Sequence, residues 1–251
     1  MIRVNHFLFI VSCLILTSCN SKNHQFPLDK RYWDPNDYDK VGLELRFNYE
    51  SDEKLPTFDN PKNKLIVEKL TDEQNFKIVL EDDELGLKHR NEVAEKFFAE
   101  WKDMSGIYTA TDRQDKYLYD IEMLAVWHFG LGLQLRYFKL GNDLIKESAD
   151  DPDAQQVKSS INSNVNILIN NYLFYLDEVN NENAFTEAGK VKFAGGIDKY
   201  FSELIKLYPS ANYSGMKTKA ELMLKKSESE SIKTSLEKLI ALITVAGSPN
   251  L

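Results

Sequence analysis

Hydrophobic residues along this chain follow two periods, and the change between them falls near Leu85. Upstream, Val41, Leu43, Leu45, Phe47 and Tyr49 alternate with Gly42, Glu44, Arg46 and Asn48. That two-residue period predicts a half-buried β-strand. A single strand needs a mate, and Phe76 to Leu80 offers one. Thr71-Asp72-Glu73-Gln74 just before it has the form of a capping box, however, so this segment reads equally as strand or as helix.

Downstream the helical period takes over. Val93, Phe97, Phe98 and Trp101 form one helical face that ends near Ser105-Gly106. Thr111-Asp112-Arg113-Gln114 can cap a long helix whose stripe is Leu118, Ile121, Ala125, His128, Leu131, Leu135 and Phe138, reaching about 50 Å at 1.5 Å per residue. Gly130, Gly132 and Gly141 within it predict either a break near Gly130 or a close approach by a neighbouring helix. Pro152 opens a second stripe of Val157, Ile161, Val165, Leu168, Ile169, Tyr172, Leu176 and Val179. A turn at Asn180 to Asn183 leads to a third stripe, from Val191 to Tyr208, which Pro209 stops. Two further helices are expected, around Met216 to Lys226 and Ile232 to Ala246. The fold class is therefore mainly α: a bundle of about five to seven helices from about Lys88 onward, with a small N-terminal segment carrying the candidate strand.

The first 49 residues modify that picture most at their beginning. Arg3 precedes an apolar run from Phe7 to Leu16, and Leu16-Thr17-Ser18-Cys19 follows. This order of charge, apolar segment and small residues is that of a secretion signal. The tetrapeptide resembles the lipobox of bacterial lipoproteins, which are cut before a cysteine already carrying a diacylglyceryl thioether. That resemblance implies a signal peptide over 1–18 and lipidation of Cys19; the polar, period-free stretch over 19–40 then reads as a tether, and 41–251 as one mainly helical domain. A second match, Ile10-Val11-Ser12-Cys13, lies inside the apolar run and leaves too little of it upstream, so Cys13 leaves with the leader. The tether carries Pro27 and Pro35, and its aromatics Tyr32, Trp33 and Tyr38 are candidates for docking on the domain. Asn20-Ser21-Lys22 has no aspartate of the kind that retains enterobacterial lipoproteins in the inner membrane, and no acidic export cluster follows Cys19. The resemblance thus implies an outer-membrane lipoprotein facing the periplasm. The Asn-, Lys- and Tyr-rich composition looks like that of the Bacteroidota.

Charge and cysteine use exclude several chemistries. With 31 basic and 39 acidic residues the net charge is -8, which disfavours nucleic acid as a partner. Once Cys13 is removed and Cys19 acylated, no thiol remains for a disulfide or a nucleophile. His24, His89 and His128 fall in no metal-ligand spacing, so neither metal nor cofactor is expected. His128, beside Trp127 on an apolar face, reads as a hydrogen-bonded structural histidine. His89 with Glu92 reads as an exposed helical pair. Gly130-Leu131-Gly132 lies within a helical stripe rather than after a strand, and no serine elbow is present.

The densest acidic run is Glu81-Asp82-Asp83-Glu84. A solvated loop is the simpler reading, and a docking surface for a basic protein is the functional one. Small size, acidity, helicity and a lipid anchor together resemble lipoprotein immunity proteins, which neutralise antibacterial toxins. On that resemblance the expected function is non-enzymatic binding of a protein partner, a basic toxin in the specific version. Two alternatives stay open: a structural subunit of an envelope assembly, and an envelope hydrolase that uses paired carboxylates.

Overall fold

The structure is a computed structural model that describes residues 24–50, 53–80, 86–109, 117–147 and 152–246. These residues form a mainly α-helical domain, and no β-strand occurs among them.

The alternating segment is helical, contrary to the strand expectation. Helix α1 (Pro35–Leu43) starts with Pro35 at its first turn. The Asp34 side chain accepts from the amides of Asn36 and Asp37, while the Asp37 side chain accepts from the amide of Asp34. This reciprocal cap satisfies amides that a helix start otherwise leaves unpaired. A π-turn (Glu44–Asn48) continues it. The error in the periodic reading is specific: residues two apart in a strand include residues four apart in a helix. Val41 and Leu45 are buried, whereas Leu43 and Phe47, which a strand would place on the same face, are 49% and 68% exposed.

Helices α2 (Lys64–Leu70) and α3 (Gln74–Leu80) resolve the second ambiguity in favour of helix. Phe76 and Leu80 lie one turn apart and are both buried. Asp72 supplies the cap by accepting from the Gln74 amide, while Thr71 donates back to the Val67 carbonyl and closes α2. Residues 24–40, assigned from sequence to a tether, pack on the domain in the structure. Trp33 and Tyr38 are fully buried; the Trp33 amide donates to Asn75, its indole donates to the Pro27 carbonyl, and the Tyr38 hydroxyl donates to the Leu70 carbonyl.

Helix α4 (Leu87–Met104) leads to α5 (Asp120–Glu147), 28 residues and so about 42 Å long. Helix α5 is the hub, touching α3, α4, α6, α7 and α8. Its buried residues therefore occupy several faces: Met123, Leu124, Val126, Phe129, Leu131 and Leu133. It runs unbroken through Gly130 and Gly132, so the expected break is absent and the close approach is what those glycines serve. A Cβ at Gly130 would lie 2.0 Å from the Trp101 ring of α4, whose indole donates to the Val126 carbonyl at 3.0 Å.

Helix α6 (Pro152–Asp177) passes into a 3-10 segment (Glu178–Ala184) where the turn was expected. Helix α7 (Glu187–Gly196) is capped by Thr186 and continues through a π-turn (Ile197–Phe201) into α8 (Ser202–Leu207), which ends before Pro209. Helices α9 (Ser214–Lys226) and α10 (Glu230–Ala246) pack on each other and complete the fold. The core is rich in aromatics. Trp33, Tyr38, Phe97, Phe129 and Phe76 form one run of ring contacts, and Tyr172, Tyr175, Phe193 and Phe201 form another.

Candidate functional site

Helices α3, α5 and α8, with the π-turn joining α7 to α8, enclose a cleft of about 480 Å³. Its floor is apolar, made by Gly132, Leu135 and Leu207, and its rim is charged. Glu73, immediately before α3, is the organising group. Its Oε1 accepts from Lys199 Nζ at 2.6 Å and from the Tyr200 hydroxyl at 2.7 Å, and its Oε2 accepts from Lys77 Nζ at 3.0 Å. Burial alone would raise its pKa, but these three donors outweigh that and hold the carboxyl below its ordinary value. Gly132 lets it come this close to α5, since a Cβ there would lie 3.0 Å from Oε1.

Behind Glu73 the polar chain turns inward. Tyr200 packs on His128 with ring centroids 5.3 Å apart, and His128 Nε2 lies 2.7 Å from the Tyr175 hydroxyl. Tyr175 donates to the Phe193 carbonyl at 3.0 Å, which assigns the imidazole proton to Nε2. Burial, with the charges of Lys192 and Lys199 adding to it, lowers the His128 pKa to about 3. The imidazole is therefore neutral across the physiological range and donates one hydrogen bond. This geometry is that of the hydrogen-bonded core histidine expected from sequence.

A second cleft, of about 590 Å³, lies between the 57–61 loop and the start of α5. It gathers Asp59, Asp120 and Glu122, the kind of carboxylate group a hydrolase needs. These carboxylates are engaged by neighbouring groups of the chain. Asp120 Oδ2 accepts from the Thr186 amide and hydroxyl, tying α5 to the cap of α7; Glu122 accepts from the Phe58 amide, and Asp59 from the Thr57 hydroxyl. Burial raises the Glu122 pKa against the opposing pull of the Phe58 amide, and the charges of Asp59 and Asp120 add to the rise.

His24 is the surprise among the histidines. Its two ring nitrogens each lie 2.8 Å from a carboxylate, Glu44 on one side and Glu53 on the other, and the ring stacks on Tyr49 at 3.9 Å. Burial alone would lower its pKa, but the two acidic partners outweigh it and raise the value. His89 pairs with Glu92 at 3.4 Å on an exposed face, as the spacing implied. Cys19 and the run Glu81, Asp82, Asp83, Glu84 lie outside the described residues. Among the described residues no cluster of histidine, cysteine and carboxylate side chains could hold a metal ion, and no helix is long and apolar enough to cross a membrane. Sequence reading missed Lys77, Arg136, Lys139, Lys199 and Lys206 as a group, because only the fold brings them together.

No family model, no curated protein and no solved structure matches the chain.

Proposed function

We propose that the protein is a lipid-anchored binding protein of the bacterial envelope, attached through Cys19 to the outer membrane on its periplasmic side, which engages a protein partner without transforming it. The observation that supports binding over turnover is the state of two ionisable groups, Glu73 at the rim of the first cleft and His128 in the core behind it. Glu73 is held ionised by three donors, and His128 is held neutral with its Nε2 proton committed to Tyr175. Acid-base catalysis requires groups whose pKa lies near the working pH and whose protons are free to move. These two are shifted away from it, and both are engaged in hydrogen bonds within the fold. Such an arrangement suits fixed recognition by charge and shape.

The specific form of this reading is an immunity lipoprotein that captures a basic toxin. Glu81-Asp82-Asp83-Glu84 follows α3 directly in sequence, and a run of four carboxylates on a chain of net charge -8 would speed encounter with a cationic partner. The test has two arms. Membrane fractionation of Cys19→Ala should move the protein from the outer-membrane fraction to the soluble one while capture of the partner is retained. Reversal of residues 81–84 to lysine should slow capture and remove its salt dependence. Retention of Cys19→Ala in the membrane would overturn the anchor. Failure of the mature protein to capture or neutralise a toxin encoded by a neighbouring gene would overturn the immunity version.

A further inference from the structure

On a chain with 39 acidic and 31 basic residues, the rim of the first cleft has the opposite balance. Its described lining carries five cations, Lys77, Arg136, Lys139, Lys199 and Lys206, against two carboxylates, Glu73 and Glu203. The cations come from three separate parts of the fold: Lys77 from α3, Arg136 and Lys139 from one face of α5, and Lys199 and Lys206 from the α7–α8 segment. Glu73 pairs with Lys77 and Lys199, and Arg136 and Lys139 also have interactions of their own within the chain, so the rim is a positioned set of cations that a bound anion would meet from several sides.

The cleft is also built before any ligand arrives. Glu73 fixes Lys77 and Lys199 in position through its two oxygens, and Tyr200 and the absent side chain of Gly132 fix Glu73. Lys206, by contrast, is exposed and forms no ion pair among the described residues, which leaves its ammonium available to a ligand. The floor of Gly132, Leu135 and Leu207 is apolar and the volume is about 480 Å³, within the range of small-molecule sites. Lysine ammonium groups act as strongly hydrated point charges suited to phosphate oxygens, and arginine adds a planar fork for the same oxygens.

Resting on the reading of the protein as a binder, we infer that this cleft takes an organic phosphate: a phosphate group held at the rim by Lys139, Lys206 and Arg136, with an apolar body of a few carbons lying over Leu135 and Leu207. A soluble phosphate ester and the headgroup of a phosphatidic-acid-like lipid present the same chemistry.

The test uses the whole mature chain carried on phosphatidylcholine vesicles, titrated calorimetrically with hexyl phosphate, inorganic phosphate and hexanol. Hexyl phosphate should bind more tightly than inorganic phosphate, hexanol should not bind, and raising the salt concentration should weaken the phosphate. Lys139→Ala/Lys206→Ala, at two exposed positions, should lower hexyl phosphate affinity about tenfold or more with an unchanged circular dichroism spectrum. Doping the vesicles with phosphatidic acid assigns the source: weaker hexyl phosphate binding points to a lipid headgroup, and unchanged binding points to a soluble ester. Absence of hexyl phosphate binding, equal binding by the double variant, or equal affinity for inorganic phosphate would each overturn the inference while leaving anchoring and partner capture intact. Release of inorganic phosphate from hexyl phosphate would keep the site and sink the non-catalytic reading.

Discussion

Gly195 and Gly196 are neighbours in α7, and alanine at the two positions should shift stability in opposite directions. A Cβ on Gly195 meets nothing within 4 Å, whereas a Cβ on Gly196 would lie 2.2 Å from His128 Nε2 and 2.3 Å from the Tyr175 hydroxyl. At Gly195 only the backbone matters, and alanine is favoured over glycine in a helix by about 0.5–1 kcal/mol. At Gly196 the same gain is outweighed. Forcing a methyl into a packed site costs about 1–3 kcal/mol. Separating His128 from Tyr175 adds about 1–3 kcal/mol for a buried donor left unpaired. Neither partner can retreat freely, because Tyr175 is buried, stacks on Phe193 and is bonded to its carbonyl. The net expectation is a loss of about 2–4 kcal/mol for Gly196→Ala and a gain of under about 1 kcal/mol for Gly195→Ala. For a chain of this size that means melting roughly 5 to 15 °C lower and about 1 to 3 °C higher, respectively, measured by far-UV circular dichroism. Adding Tyr175→Phe to Gly196→Ala removes the hydroxyl that clashes and should recover part of the loss as a coupling energy. If Gly196→Ala melts at or above wild type, the proposed packing of His128 and Tyr175 on α7 is wrong.

The two inward histidines should produce stability changes at opposite ends of the pH scale. The folded pKa of His24 is raised, so the stabilisation it contributes is complete below the unfolded value of about 6.5 and is lost as pH rises through the folded value. Urea midpoints should therefore fall as pH rises above about 6.5 in wild type, and this component should vanish in His24→Asn; an unchanged slope in the variant would refute the clasp. The folded pKa of His128 is lowered to about 3, so only the unfolded chain takes up its proton as pH falls below about 6.5. Stability should drop by about 1.4 kcal/mol per pH unit from there towards pH 3, and His128→Gln should flatten that limb in the same titration.

The helices were legible wherever one period dominated. The stripe from Leu168 to Val179 is buried, and the spacing of Ile232, Leu236, Leu239 and Ile243 marks the inward face of α10. Position α1 was misread because Val41 and Leu45 satisfy both periods, and the deciding signal was local: Asp34-Pro35-Asn36-Asp37 is a helix start, and it outweighs alternation over nine residues. The glycines of α5 were ambiguous for a different reason. A glycine in a helical stripe signals either a bend or an intruding neighbour, and only the position of Trp101 and Glu73 distinguishes the two. The cleft was not legible at all. Its cations sit on elements far apart in sequence, each of which looks like an ordinary solvated lysine or arginine until α5 gathers them. The same holds for His24, whose two carboxylate partners lie on the π-turn after α1 and in the loop beyond it.

The placement of His24 also changes what a lipid on Cys19 would do. A free tether over 19–40 would let the body range widely over the membrane, yet in the structure the chain is already fastened at His24 and again at Trp33. Only five peptide links separate Cys19 from His24, a span of at most about 18 Å when fully extended. An acylated Cys19 would therefore hold the corner formed by His24, Glu44 and Glu53 close to the bilayer, and any partner would meet the body in a restricted orientation. Because the His24 clasp weakens as the imidazole loses its proton, the reach of the anchor is coupled to the protonation of the one histidine nearest to it. Opening the clasp would lengthen the free chain only as far as Trp33, whose hydrogen bonds run to Asn75 and the Pro27 carbonyl, groups that do not titrate, so the coupling has a built-in limit.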